Sequence, residues 1–241
     1  MAGMAGQDHL KKIAAHQAAE YVKDKMVVGL GTGSTAALAV EAIARKVREG
    51  CRILGIPTSV ETENLAKRLG VPLTTLEAHP EVDVTIDGAD EVDPNFNLIK
   101  GLGGALLREK IVASATKQEI IVVDESKLVE RLGTHAPVPV EVVPFGWTRC
   151  RKELQALGGK VELRYQGSAP FVTDNGHYIL DTWFGPLVDP YRLAEVIEAI
   201  VGVVEHGLFL DMAHVVIVGR EEGVSIYAVD RGNSEGRERP W

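Results

Sequence analysis

Residues 26–35 have the sequence Met-Val-Val-Gly-Leu-Gly-Thr-Gly-Ser-Thr. The apolar run over residues 26–30 has the length and composition of a short buried strand, and it leads directly into glycines. A helix is predicted to follow over residues 35–49. A glycine loop between a strand and a helix surrounds an anion with backbone N–H groups and a helix N-terminus. The stretch therefore predicts the first strand of an α/β domain, with a phosphate site at its carboxyl end.

Strands and helices are predicted to alternate through the first half of the chain. The strands are expected at residues 26–30, 52–56, 82–86 and 120–123, and the helices at residues 10–22, 35–49, 58–69 and 105–115. Thr58 is predicted to cap the third of these helices, with Glu61 completing a capping box. This alternation indicates a parallel sheet, in which ligands bind at the carboxyl ends of the strands.

The sequence changes character from about residue 133. Three prolines at 137, 139 and 144 interrupt a valine-rich stretch, which is interpreted as a crossing between domains. Helices are predicted at residues 146–157 and 190–200, with a strand at residues 160–164. Two strands are expected around Asp174-Asn175-Gly176, because Asn-Gly favours the turn of a β-hairpin. This part predicts a small α+β domain.

Two apolar strands, at residues 215–219 and 224–229, are predicted to return to the first domain. The fold class is thus predicted as α/β, with a large domain (residues 1–132 and 207–230) built on a mainly parallel sheet with flanking helices. A smaller inserted α+β domain would cover residues 133–206. Residues 231–241, rich in Gly, Arg and Glu, are expected to form a disordered tail.

Composition excludes several functional classes. The net charge of −8 over 241 residues opposes broad binding to nucleic acid or to an anionic membrane surface. Cys51 and Cys150 form no C-x-x-C pair, and the seven histidines show no metal-binding spacing, so no metal is expected. The N-terminus is too polar for a signal peptide, and no apolar run reaches the ~18 residues of a membrane span. A soluble, cytoplasmic protein is predicted.

A second informative stretch covers residues 87–110. It begins with Asp87-Gly88-Ala89-Asp90-Glu91, and Lys100-Gly101-Leu102-Gly103-Gly104 follows within the same 24 residues, before Glu109. Each residue alone has an ordinary explanation: the aspartates as turn formers, the lysine as a strand end, the glutamate as a surface residue. Together they place carboxylates, a lysine and flexible backbone beside one another. The combination predicts a site for a small anionic, hydroxyl-rich molecule.

The glycine loop at residues 29–35 matches neither of two common nucleotide-binding motifs. A dinucleotide fingerprint requires glycine where Ser34 stands and an acidic residue near the end of the second strand. A Walker A loop requires a lysine before the serine or threonine, and the loop has none. A phosphate cradle is the better interpretation, against a turn that merely packs a strand on a helix.

Several motifs together resemble ribose-5-phosphate isomerase of the A type. They are V-G-L-G-T-G-S-T, I-D-G-A-D-E-V, I-K-G-L-G-G-A-L-L-R-E-K, D-E-S-K and V-T-D-N-G-H-Y-I-L-D, in the family's order, from about residue 10 to residue 227. Leu102 stands where the family varies. The resemblance implies an α/β large domain with a smaller α+β domain, assembled as a homodimer or homotetramer. It also implies interconversion of D-ribose 5-phosphate and D-ribulose 5-phosphate, without metal or organic cofactor, in the non-oxidative pentose phosphate pathway.

The resemblance also assigns roles to residues. Glu109 would be the base that moves a proton between C2 and C1, and Lys100 would stabilise the enediolate charge. Asp87 would move protons between sugar oxygens and assist ring opening, and Asp90 would hold hydroxyls or orient Lys100. The other implied substrate contacts are Lys11, Thr32, Gly33, Ser34, Thr35, Gly88, Ala89, Gly101, Leu102, Gly103 and Lys127.

Two other classes of function stay open at this point. One is an enzyme of related architecture, such as an amino-sugar-phosphate deaminase or a coenzyme A transferase. Ammonia release or a thioester requirement would distinguish it from an isomerase. The other is a non-catalytic sugar-phosphate sensor in a transcription regulator. Such a sensor carries a helix-turn-helix, and the 25 residues before the first strand are too few for one.

Overall fold

The computed structural model describes the backbone of residues 2–229 and the side chains from residue 8 onward. The helices are α1 (Ala2–Ala19), α2 (Ser34–Arg48), α3 (Val60–Leu69), α4 (Leu106–Ser114), α5 (Trp147–Ala156) and α6 (Pro190–Glu198). The first eight strands are β1 (Val27–Leu30), β2 (Leu54–Pro57), β3 (Val84–Asp87), β4 (Glu91–Val92), β5 (Leu98–Ile99), β6 (Glu119–Asp124), β7 (Val138–Val142) and β8 (Lys160–Leu163). The others are β9 (Tyr165–Gln166), β10 (Ala169–Pro170), β11 (Tyr178–Trp183), β12 (Val203–His206), β13 (Leu208–Phe209), β14 (Val215–Arg220) and β15 (Gly223–Ala228).

The largest sheet has six strands in the order β15-β14-β6-β3-β1-β2. All neighbouring pairs are parallel except β14 with β15. Strands β3 and β6 are buried along their whole length, as expected for a parallel sheet covered on both faces. The predicted α/β class is confirmed, and so is the return of the last two strands to this sheet.

Helix α1 packs closely on this sheet, against β6 and β14. Its inner face consists of small side chains, since Ala14, Ala15 and Ala18 are fully buried. The opposing strand has no side chain at the point of contact: a Cβ at Gly219 would lie 2.2 Å from the carbonyl oxygen of Leu10. Small residues on both sides therefore hold α1, which carries Lys11, directly against the sheet.

The described residues divide into two compact units. One comprises residues 2–89, 108–128 and 212–229, and the other comprises residues 90–107 and 129–211. The second unit contains an antiparallel sheet in the order β12-β7-β11-β8 and a three-stranded sheet in the order β13-β5-β4. This division differs from the predicted domain bounds because β4 and β5 pair with β13, which groups residues 90–107 with the second unit. The assignment of separate domains stays a prediction.

The proline-rich stretch is not a simple crossing between domains, because it contains β7, an inner strand of the antiparallel sheet. Pro139 lies in this strand, where a residue without an N–H would usually break the ladder. Here β12 ends at His206, and the carbonyl of Pro139 accepts a hydrogen bond from the Gly207 N–H at 2.8 Å. A Cβ at Gly207 would lie 2.7 Å from the proline ring, so glycine leaves the space that the ring needs.

The hairpin predicted around residues 174–176 is wrong in its pairing. The turn does form, since the N–H of Gly176 donates to the carbonyl of Thr173 at 2.9 Å. The strand before it, β10, pairs with β9, whereas β11 pairs with β7 and β8. A turn signal fixes local backbone geometry but leaves the partners of the flanking strands open.

The predicted cap of the third helix is displaced by one residue. Ser59 is the N-cap, and its side chain accepts a hydrogen bond from the Thr62 N–H at 3.0 Å. The hydroxyl of Thr58 donates instead to the carbonyl of Leu30. The predicted tail, residues 231–241, lies outside the described residues. Among the helices described, none is long and apolar enough to cross a membrane.

Candidate functional site

The strand order of the large sheet predicts a ligand crevice beside β1. The chain runs from β1 to β2 on one side and then to β3 on the other side of β1. Connections that leave neighbouring strands in opposite directions open a crevice at the carboxyl ends, where ligands of α/β proteins bind. The glycine loop follows β1, and Asp87 is the last residue of β3. Two predicted site segments therefore meet at this point.

The loop after β1 and the Asp87 carboxylate fit closely together. The N–H of Thr32 donates to Oδ1 of Asp87 at 3.0 Å, and the N–H of Gly88 donates to the same oxygen at 2.7 Å. A Cβ at Gly31 would lie 2.3 Å from that oxygen. Glycine at position 31 is thus required by space, and two backbone donors fix the orientation of a carboxylate that is only 1% exposed.

Hydroxyl groups of the segment after β2 hold the glycine loop through hydrogen bonds. Oγ1 of Thr32 lies 2.7 Å from Oγ1 of Thr58 and donates to Oγ of Ser59 at 2.8 Å. The Thr62 hydroxyl donates to the carbonyl of Gly31 at 2.9 Å. The roles of Ser59 and Thr62 are not predicted from the sequence. Their recognisable signal is a Thr-Ser-x-x-Thr run directly after β2, at the same edge of the sheet as the loop.

The start of α2 has the geometry of an anion site. Gly33 is the N-cap, with a φ of 100°, a backbone conformation that side chains rarely adopt. Gly33 and Ser34 are exposed, and Nζ of Lys11 lies 3.4 Å from the Ser34 hydroxyl. Lys127 lies in a 3-10 turn just after β6, the strand next to β3. This unit thus provides the helix N-terminus, a hydroxyl and lysines that a phosphate site requires.

In the second unit, Asp90 and Lys100 lie at the paired strands β4 and β5. The N–H of Asp90 donates to the carbonyl of Ile99 at 2.8 Å, and Oδ2 of Asp90 accepts from the Leu102 N–H at 3.0 Å. Lys100 is only 2% exposed, and its Nζ lies 5.4 Å from the ring centre of Phe209. A lysine is seldom buried to this extent unless it is paired or has a function.

Glu109 lies in the first turn of α4 and is 5% exposed. Helical glutamates are usually solvated, so this burial removes the explanation of Glu109 as a surface residue. A carboxylate in the first turn is also stabilised by the positive end of the helix dipole. Glu109 is therefore an ionisable group withdrawn from water. The segment just before its helix carries Lys100.

The structure distributes the predicted site residues over both compact units. The first unit holds Lys11, Thr32, Gly33, Ser34, Thr35, Asp87, Gly88, Ala89, Glu109 and Lys127, and the second holds Asp90, Lys100, Gly101, Leu102 and Gly103. Within the first unit the structure brings the glycine loop to Asp87 and Lys11 to Ser34, and within the second it brings Asp90 to the 100–103 loop.

One cluster of ligand-type side chains lies elsewhere, at Glu198, Glu205 and His206. Nδ1 of His206 accepts a hydrogen bond from the Leu208 N–H, so in the neutral ring the proton is on Nε2. Nε2 lies 3.1 Å from Oε1 of Glu198, to which it donates. Because both ring nitrogens are occupied in this way, the cluster does not fit a metal ion.

Comparison with known proteins gives one consistent result. Residues 54–223 match the model of the family described as ribose 5-phosphate isomerase A (phosphoriboisomerase A). Ribose-5-phosphate isomerase A of Gloeobacter violaceus is 56% identical over 220 residues, covering 91% of this chain and 96% of that protein. The enzyme of Desulfatibacillum aliphaticivorans is 54% identical over 224 residues, covering 92% and 97%.

Solved structures agree with this result. The structure of ribose 5-phosphate isomerase from Plasmodium falciparum has a TM-score of 0.90 and 42% identity, covering 92% of this chain and 99% of that chain. A D-ribose-5-phosphate isomerase in complex with phospho-erythronic acid gives the same values. The resemblance stated from the sequence motifs is confirmed. The chain belongs to the ribose-5-phosphate isomerase A family.

Proposed function

We propose that this chain carries out its family's reaction through a cis-enediolate, with Glu109 as the proton-transfer base. The reaction follows from the family: the protein is an isomerase that interconverts ribose 5-phosphate and ribulose 5-phosphate in the pentose phosphate pathway. The observation that carries the mechanism is the burial of Glu109 in the first turn of α4. A deaminase, a transferase or a sensor is not favoured, because the relatives reported above are isomerases.

The chemistry requires one base that acts on two adjacent carbons. Glu109 takes the proton from C2 of the open-chain aldose, and the electron pair of the broken C–H bond forms the C1–C2 double bond. The carbonyl oxygen at C1 gains negative charge and takes up a proton, and the C2 hydroxyl gives up its proton, a transfer between sugar oxygens that is proposed for Asp87. The Glu109 carboxyl group then returns a proton to C1 as the C2–O bond becomes the carbonyl of the ketose. A positioned base contributes about 10²–10⁴-fold to such a step.

Lys100 is proposed to stabilise the enediolate oxygens. Its ammonium group is withdrawn from water, and a fixed charge in such a place is worth far more than in solution. The position of the chain here is fixed by a hydrogen bond from the Lys100 N–H to the carbonyl of Gly207 at 2.9 Å. Asp90, which accepts the Leu102 N–H, is proposed to bind substrate hydroxyls beside it.

Asp87 is proposed to transfer protons between sugar oxygens and to assist opening of the furanose ring. The support is its rigidity, since two N–H groups hold Oδ1 and leave the second oxygen in one fixed direction. The phosphate is proposed to bind at the start of α2, to backbone and hydroxyl groups of residues 32–35 with Lys11 and Lys127. Gly88, Ala89 and the 101–103 backbone would complete the contacts.

The site is also proposed to bind phospho-erythronic acid, which is bound in a similar structure. This molecule carries a planar carboxylate where the substrate would carry the two enediolate oxygens. We further propose that the protein works in the cytoplasm as a homodimer or homotetramer, as the family resemblance implies. Light scattering coupled to size-exclusion chromatography, with a monomeric mass as the contradicting result, tests the assembly.

A coupled assay of ribulose 5-phosphate formation tests the proposed function. The purified protein should convert ribose 5-phosphate with EDTA present and without an added cofactor or thioester. It should release no ammonia. The substrate's C2 proton should exchange with deuterated solvent during turnover, as proton abstraction requires. Loss of activity in EDTA that a divalent ion restores would overturn the mechanism, and release of ammonia would overturn the reaction.

A further inference from the structure

Arg164, the residue after β8, connects two distant segments of the second unit. Its Nε and Nη2 donate to the two carboxylate oxygens of Asp181, at 2.9 Å and 2.5 Å. Its Nη1 donates to the carbonyl oxygens of Gly101 and Leu102, at 2.9 Å and 3.0 Å. The arginine side chain is only 13% exposed. A bidentate carboxylate pair of this kind fixes the plane and direction of the guanidinium group.

The two carbonyl contacts determine where the neighbouring N–H groups point. In a trans peptide the C=O and the following N–H point in opposite directions. Because Gly101 and Leu102 both turn their carbonyls toward Nη1, the N–H groups of Leu102 and Gly103 are turned away from Arg164. The Leu102 N–H reaches Oδ2 of Asp90 on that opposite side. Successive N–H groups on one side of a loop form a concavity that attracts negative charge.

A hydrogen bond from the Gly104 N–H to the carbonyl of Gly101 at 3.0 Å closes the loop, and side chains from outside the loop hold it further. Gly101 and Gly104 have φ values of 102° and 83°, and glycine-rich backbone loses the most conformational freedom when it is ordered. The ring of Phe171 fills the space beside Gly104, where a Cβ would lie 2.4 Å from a ring carbon. The guanidinium of Arg164 in turn lies 5.9 Å from the centre of that ring. Arg164 and Phe171 are thus neighbours that both contact the loop.

We propose that Arg164, held by Asp181, is a positioning residue for the isomerisation. It fixes the peptides at residues 101–103 so that the Gly103 N–H faces the developing charge of the enediolate, while the Leu102 N–H holds Asp90 toward the substrate hydroxyls. The proposal rests on the proposed function, since it assigns a task to the substrate loop. Donors that are already oriented stabilise the transition state more than the ground state, so their loss lowers kcat.

A purely structural role for the ion pair makes a different prediction. Strands β8 and β11 already pair through four backbone positions, from Leu180–Leu163 to Trp183–Lys160. The Arg164 backbone N–H adds a bond to the carbonyl of Ile179. If the side chain only strengthened this pairing, its removal would lower the unfolding free energy and leave kcat per folded molecule unchanged.

The test compares Arg164→Met and Arg164→Lys with the control Arg149→Met. Arg149 forms an exposed ion pair with Glu153 in the same unit, so its loss should leave the kinetics unchanged. Arg164→Met should lower kcat by about 10–100-fold with KM within about 3-fold, as expected for misplaced transition-state donors. Arg164→Lys keeps the positive charge but not the planar guanidinium that donates to Asp181 and to the loop carbonyls at once, so it should recover little of the lost kcat.

Two further measurements separate positioning from stability. Asp181→Asn should lower kcat in the same direction, and combining it with Arg164→Met should add little, because Asp181 acts through the arginine. Phospho-erythronic acid should bind Arg164→Met and Asp181→Asn at least about 10-fold more weakly than the wild type, because the donors to its planar carboxylate are misplaced, and it should bind the control Arg149→Met as tightly as the wild type. Urea unfolding gives the folded fraction of each variant. If Arg164→Met does not fold, Arg164→Lys replaces it in the kinetic comparison.

The outcomes are distinct. An unchanged kcat in folded Arg164→Met, or a higher KM with an unchanged kcat, overturns the positioning role while the proposed function stands. Full recovery of kcat in Arg164→Lys also overturns it, because charge alone would then suffice. Wild-type protein that does not isomerise ribose 5-phosphate contradicts the proposed function itself.

Discussion

A methyl group at Gly31 tests the close fit between the glycine loop and Asp87. Gly31 does not have a positive φ, so alanine can adopt its backbone conformation. The substitution therefore acts through steric overlap alone. The new Cβ would lie 2.3 Å from Oδ1, 2.5 Å from Cγ and 2.6 Å from Cα of Asp87. Since one of these atoms is backbone of β3, a side-chain rotation alone does not relieve the contact.

The size of the effect follows from these distances. Carbon atoms pack at about 3.5–4.0 Å, so β1 and Asp87 must separate by about 1 Å. Overpacking of this kind costs about 1–3 kcal/mol, which leaves a domain of ordinary stability folded. A displacement of about 1 Å in a catalytic group lowers activity by about 10²-fold. Gly31→Ala should therefore lower kcat/KM about 10²-fold while the protein remains folded.

The coupled isomerase assay and urea unfolding measure the two effects separately. Gly29→Ala is the matched control, because its Cβ would lie 2.0 Å from Oγ1 of Thr85 in the same pair of strands. That contact involves a side chain away from Asp87, so the control should lose comparable stability and keep more of its activity. A folded Gly31→Ala protein with wild-type kcat/KM would refute the proposed role of Asp87.

Three further predictions concern other parts of the molecule. Replacing Ser34 and Lys127 together by alanine should mainly raise KM for ribose 5-phosphate, since each donor serves ground and transition states alike; an unchanged KM contradicts this. Burial raises the pKa of Asp93 above 3.8, so protonation should stabilise the fold as the pH falls through that raised pKa. The unfolding free energy of wild type relative to Asp93→Asn should then rise on acidification, and a constant difference contradicts this. Glu91 accepts three backbone N–H groups from residues 133–136, so Glu91→Gln should cost about 1.5–3 kcal/mol in urea unfolding; a loss below about 0.5 kcal/mol contradicts this.

The large sheet was predictable because its strands carry strong local signals. Strands β1, β3, β6 and β14 are apolar runs bounded by glycine or charged residues, and the ends of each lie within two residues of its predicted bounds. Strands β4, β5 and β13 have only two residues each, too few to show any periodicity. Their pairing is what places residues 90–107 in the second unit.

The site was predictable where its residues are close in sequence. The strand–glycine–helix pattern indicated the loop beside Asp87, and the motifs around Lys100 and Glu109 indicated the family. Contacts between distant segments left no such pattern. Arg164 lies 63 residues from Gly101, and the Thr32 and Thr62 hydroxyls lie 30 residues apart. Only the fold brings these groups together, so a single sequence does not reveal them.

The most direct test of the central claim is solvent exchange at C2 of the substrate in the Glu109→Gln variant. Glutamine keeps the shape and the hydrogen-bonding capacity of the side chain but cannot accept the proton. NMR in deuterated water should show that C2 exchange is lost, and kcat should fall by at least ~10²-fold with KM little changed. Exchange at the wild-type rate in this variant would contradict the assignment of Glu109 as the base and would direct the search to Asp87.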